Sequence, residues 1–118
     1  MKNQRLSARV AFAWDGLRAA WHGERSFRTQ GIMALVAGGV MGVLQPALIW
    51  WALVGMMIAL VLAAELINTA LEQLVDHLHP EQHPRIKIVK DCAAAAVLLL
   101  SLGAAWVGVL MVFSTLDN

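Results

Sequence analysis

Two long stretches of this chain carry no charge, Thr29 to Ala64 and Cys92 to Leu116. That pattern constrains the fold more than any other feature. A helix needs about 20 apolar residues to cross the hydrocarbon core of a bilayer. Inside that core every backbone polar group must find its partner within the segment, which helices achieve. The first stretch is broken by the uncharged turn Gly42-Val43-Leu44-Gln45-Pro46 and so holds two crossings; the second holds one. The chain is therefore read as an all-α membrane protein with three transmembrane helices, in one domain covering residues 1–118. Composition agrees. Hydrophobic residues make up 59% and charged residues 14%, and the mean hydropathy is +0.65, outside the balance of soluble domains.

The spans are placed at about 25–43, 47–66 and 92–113. Ahead of them, Leu6, Val10, Trp14, Leu17 and Trp21 fall within an arc of about 80° at helical spacing, with Arg5, Arg9 and Asp15 pointing elsewhere. This predicts an amphipathic surface helix over about 4–22, lying in the membrane–water interface. Phe12 is nearly opposite the apolar stripe and is expected to face something other than lipid. Lys2, Arg5, Arg9, Arg18, Arg25 and Arg28 interrupt the N-terminal segment too often for a cleavable signal.

Small residues mark the first span (Gly31, Ala34, Ala37, Gly38, Gly39, Gly42) and the third (Ala93 to Ala96, Gly103, Ala104, Ala105, Gly108). They are expected to allow close helix contact. Pro46 is expected in the first turn of the second helix, where its missing N–H costs nothing. That helix is predicted to continue to about His79, roughly 50 Å in all. A bilayer core is about 30 Å thick, so the last third projects from it. Pro80 and Pro84 then break the helix, and the third is expected to start near Arg85. His77, His79 and His83 in this turn lack regular metal-ligand spacing and read as a solvated loop. The single cysteine, Cys92, allows no intrachain disulfide.

All nine Lys and Arg lie between Lys2 and Arg28 or between Arg85 and Lys90. The positive-inside rule then puts the N-terminus and the second loop in the cytoplasm and the C-terminus outside. Against that frame one stripe stands out. Glu65, Asn68, Glu72 and Asp76 are spaced 3, 4 and 4. At about 100° per residue the last three fall roughly −60°, −20° and +20° from Glu65. Acidic groups at a membrane edge are costly and point to a site. Glu24 at the start of span one, Glu65 at the exit of span two, and Lys90 and Asp91 at the entry of span three meet in one plane, the inner interface. A lipid and a soluble cytoplasmic molecule can meet there.

These residue types suit phosphoryl transfer. Two carboxylates can hold Mg²⁺ through nucleotide phosphates. A lysine can neutralise phosphate charge, and another carboxylate can deprotonate a hydroxyl. No G-x-x-x-x-G-K-[ST] or G-x-G-x-x-G loop is present, so a nucleotide must be held otherwise. Solvated interface charges that merely fix topology are the competing explanation of the same residues.

The run Ala64-Glu65-Leu66-Ile67-Asn68-Thr69-Ala70-Leu71-Glu72-Gln73-Leu74-Val75-Asp76 resembles the signature E-x-x-N-[ST]-A-x-E-x-x-V-D of the small bacterial diacylglycerol kinases, a family that includes undecaprenol kinases. Val89-Lys90-Asp91-Cys92 and the alanines after it resemble the second motif of that family. Gly16 to Trp21, Glu24 and Phe27-Arg28 resemble its N-terminal segment. The resemblance implies a homotrimer with composite sites between subunits. It implies Glu65 as catalytic base, and Glu24 and Glu72 as holders of the metal of MgATP. By the same resemblance Asn68, Asp76, Lys90 and Asp91 line the nucleotide site with Glu24 and Glu72, and Arg28, Gln30, Glu65 and Trp106 meet the lipid. Two positions depart from the enterobacterial type. Phe12, beside the nucleotide, replaces a tyrosine, and Gln30, near the lipid headgroup, replaces a glutamate.

The expected protein is an ATP-dependent lipid kinase of the bacterial inner membrane, with Mg²⁺ and ATP, a membrane lipid and its own copies as partners, and no nucleic acid. Diacylglycerol is the favoured lipid and undecaprenol the alternative. A small proton-coupled exporter would instead place its key acid near mid-bilayer. A structural subunit would not need the polar stripe.

Overall fold

The computed structural model describes residues 3–117, so Met1, Lys2 and Asn118 lie outside the described residues. The described chain is helical throughout: α1 (Leu6–Gly23), α2 (Arg25–Leu44), α3 (Leu48–Leu78) and α4 (Pro84–Leu116). Of these, α2, α3 and α4 are long and apolar enough to cross a membrane.

Short breaks separate the helices. Glu24, with φ −122° and ψ 110°, is the whole connection between α1 and α2. It ends one helix and starts the next, so its side chain stands at a corner. Gln45 ends α2 in the left-handed region, at φ 49°, which costs a non-glycine residue about 1–2 kcal/mol. Two bonds offset that cost: its N–H donates to Met41 O at 2.8 Å and its side-chain amide to Gly42 O at 2.8 Å.

One proline differs from expectation. Pro46 does not lie in the first turn of α3: Ala47 is the N-cap and the helix begins at Leu48. With Gln45 closing α2 in a left-handed conformation, the chain needs two further residues before it re-enters helical geometry. Pro84, by contrast, is the first residue of α4, where it removes an N–H that has no partner anyway. His83 caps this helix, its Nδ1 accepting from the N–H of Arg85 at 3.1 Å.

α3 and α4 form the most extensive helix pair. Met57 of α3 lies over Gly103 of α4, its Cε 3.3 Å from where a Cβ would sit. A small core joins the three long helices through Met41, Val54 and Met111. Most large apolar side chains stay exposed, among them Leu35, Leu48, Leu99 and Phe113. In water this would be a defect; lipid tails solvate such faces. The small residues are used unevenly. Gly31 and Gly103 meet a neighbouring side chain, whereas Gly38, Gly39, Gly42 and Gly108 have nothing within 4 Å of a Cβ position.

On α1, Leu6, Val10 and Trp14 are exposed, while the Trp21 ring at its end packs on Gly31 of α2. A Cβ at Gly31 would fall 2.8 Å from Trp21 Cζ3. Gly31→Ile is therefore expected to push Trp21 aside and loosen α1 from α2, costing about 1–3 kcal/mol. A lowered thermal midpoint in detergent micelles checks this.

Candidate active site

The polar stripe lies on α3, and its first member sets the geometry. Glu65 is 3% exposed, the one buried charged side chain among the described residues. A buried carboxylate needs a hydrogen-bond donor, because leaving it unpaired costs several kcal/mol. Ser26, in the first turn of α2, supplies one: its Oγ donates to Glu65 Oε1 at 2.7 Å. The sequence offers no pattern that singles out Ser26, since the contact joins residues 39 apart. One turn further along α3, Asn68 Nδ2 approaches Glu72 Oε1 at 3.4 Å, a long bond. Its Oδ1 is buried with no protein partner. An unpaired buried carbonyl oxygen beside a carboxylate leaves acceptor capacity unused there.

The stripe ends at Asp76, whose Oδ1 accepts from Lys90 Nζ at 2.6 Å. This ion pair spans the turn between α3 and α4 and is solvent-exposed, with side chains 37% (Lys90) and 62% (Asp76) accessible. Such pairs contribute little stability, about 0–1 kcal/mol. Its effect is to hold the lysine over the end of α3. Asp91, the next residue along, turns away and accepts from Lys87 at 2.6 Å within its own helix. Asp76, Lys90 and Asp91 line an open cleft of about 640 Å³ together with the loop His79 to Pro84. The loop histidines have structural tasks: His83 caps α4, and the His79 ring donates from Nδ1 to Glu81 O at 2.9 Å. The loop is largely exposed, as expected of a solvated connection, and it also lines this cleft.

An apolar groove of about 540 Å³ runs along α2, α3 and α4. Gln30 and Ser101 are its polar members, Gln30 Nε2 donating to Ser101 Oγ at 3.1 Å. Of the other residues assigned to the lipid, Arg28 donates through Nη1 to Trp21 O at 2.8 Å and His22 O at 3.2 Å. A cation placed on the last carbonyls of α1 favours that helix end. Trp106 is 64% exposed on α4 and does not line the groove.

The single chain thus pairs Glu65 with Ser26, Asn68 with Glu72, and Asp76 with Lys90. Among the described residues the Glu24 side chain takes part in no ion pair, and no group of three or more metal-binding side chains gathers. Phe12, on α1, is exposed.

A buried carboxylate thus stands where the charge-free run of α3 ends, with a cleft lined by acidic and basic side chains beyond it. Comparison with known proteins identifies the class. The sequence profile of the prokaryotic diacylglycerol kinases matches residues 11–112, and the chain belongs to that family. It is 35% identical over 95 residues to the diacylglycerol kinase of Escherichia coli K12, covering 80% of this chain and 78% of that one. It is 37% identical over 98 residues to the diacylglycerol kinase of Synechocystis, covering 82% and 56%. It is 30% identical over 97 residues to the undecaprenol kinase of Bacillus subtilis, covering 80% and 79%. The chain is a lipid kinase, with ATP as co-substrate.

The cap at the cleft wall is testable. His83→Ala should destabilise the fold by about 1 kcal/mol, whereas His83→Asn, which keeps an acceptor, should lose much less. Thermal unfolding of the two variants in micelles measures the difference.

Proposed function

We propose that the protein transfers the γ-phosphate of ATP to the hydroxyl of diacylglycerol, giving phosphatidic acid, at the cytoplasmic face of the inner membrane. The observation that carries this reading is Glu65, a buried carboxylate where the apolar run of α3 ends. In this reading the lipid arrives sideways from the bilayer and ATP from water. The carboxylate takes the proton from the lipid hydroxyl as its oxygen attacks the γ-phosphorus. The bond from that phosphorus to the bridging oxygen breaks, and ADP leaves. Lys90, held beside the end of α3 by Asp76, neutralises charge developing on the phosphate.

The cleft of Asp76, Lys90 and Asp91 is the proposed nucleotide site, with Phe12 alongside. Glu24 and Glu72 are the proposed ligands of Mg²⁺. An all-oxygen donor set fits this hard cation, and the unpartnered Asn68 Oδ1 adds to it. When bound, the ion screens the phosphate oxygens. The proposed lipid contacts are Gln30, on the apolar groove, together with Arg28 and Trp106, which lie outside its lining.

The assembly is proposed to be a homotrimer with α1 in the membrane surface, the N-terminus cytoplasmic and the C-terminus outside. The open faces at Gly38, Gly39, Gly42 and Gly108 support close packing against neighbouring subunits. A neighbour can complete a site in which Glu24 and Glu72 come from different chains. Among lipids, the identity of 35–37% to diacylglycerol kinases against 30% to an undecaprenol kinase favours diacylglycerol.

A mixed-micelle assay with labelled ATP, offering diacylglycerol and undecaprenol side by side, is expected to label diacylglycerol preferentially. Preferential labelling of undecaprenol would replace the substrate, and transfer to neither would remove the lipid-kinase reading. Glu65→Gln is expected to lower kcat by at least about 10²-fold while the assembly stays folded. Near-normal turnover in that variant would exclude Glu65 as the base.

A further inference from the structure

We infer that Ser26 is a positioning residue for Glu65: its hydroxyl occupies Oε1 and leaves Oε2 as the oxygen that meets the lipid hydroxyl. The inference rests on the reading of Glu65 as base. It starts from geometry. Ser26 Oγ donates to Oε1 at 2.7 Å, and this is the hydrogen bond that the buried carboxylate makes within the chain. A carboxylate swings about its last side-chain torsion, which is broad and roughly two-fold. One short, charge-assisted bond fixes that torsion. Fixing it presents a single oxygen at a set direction, and proton abstraction depends on such alignment.

The location of Ser26 adds a second effect. It stands two residues after Glu24, in the first turn of α2. Its neighbour Phe27 is 5% exposed and anchors that turn. Arg28, in the next turn, is tied to the carbonyls of Trp21 and His22. The Ser26–Glu65 bond therefore ties a firmly held corner, the one bearing Glu24, to the middle of α3. The bond sets the base in register with that corner, so its loss should slow chemistry more than nucleotide binding.

The test uses the full-length enzyme in mixed micelles. Ser26→Ala is expected to lower kcat about tenfold, the effect of one hydrogen bond to a charged group, with the KM for ATP unchanged. Ser26→Thr, which keeps the hydroxyl, is expected to restore most of the rate. Rates are taken per folded enzyme, with thermal midpoints measured in parallel, so that a merely structural bond would lower the midpoint and leave kcat intact. Unchanged kcat in Ser26→Ala overturns the assignment, as does an equal loss in Ser26→Thr or failure of Ser26→Ala to fold. Glu65→Gln, assayed alongside, separates the two claims. If it is inactive while Ser26→Ala is fully active, only the role of Ser26 is lost; if it is active, the base is lost and Ser26 with it.

Discussion

Hydrocarbon cannot solvate a polar group, and most of this structure follows from that cost. It keeps charges out of the three crossings and leaves large apolar side chains facing outward instead of inward. It also favours paired polar side chains between the apolar helices. Glu65 has Ser26, and Gln30 has Ser101. The core is correspondingly small, because lipid takes over much of what a soluble protein would bury. With little core to fix the helices, single contacts such as Met57 on Gly103 and Trp21 on Gly31 define how they meet.

The candidate site draws on several helices. α3 gives the stripe, the first turn of α2 reaches the buried carboxylate, and α4 returns a lysine to the end of α3. The sharp corner at Glu24 lets α1 and α2 share one connecting residue. Nothing in this arrangement uses a glycine-rich phosphate loop. Positive charge and oxygen donors come from helix ends and side chains, and the breaks between helices stay short.

Much of this was legible in the sequence because lipid imposes a coarse rule. The charge-free runs fall on the three helices that are long and apolar enough to cross a membrane, and the spacing of Glu65, Asn68, Glu72 and Asp76 puts them on one face of α3. Local geometry was less legible. Pro46 falls outside α3 because Gln45 adopts a left-handed conformation, a choice its residue type does not announce. Arg28 reads as one of many basic residues, yet its guanidinium closes the end of α1. Lys90 and Asp91 are adjacent and look like one unit, but helical geometry sends them to different partners. Ser26 and Ser101 carried no signal at all. Their partners lie 39 and 71 residues away, and a lone serine in an apolar helix has no periodicity to betray it.

α3 is also a ruler. From Leu48 to Glu65 is about 26 Å of helix rise, against a hydrocarbon thickness of about 30 Å that varies by a few ångströms between membranes. Two or three ångströms is about two residues of rise. The carboxylate's distance from the far interface is thus built into the chain, while its distance from the near interface belongs to the lipid. The bond to Ser26 joins α3 to α2, so the setting of the carboxylate is made within the protein and does not draw on the lipid.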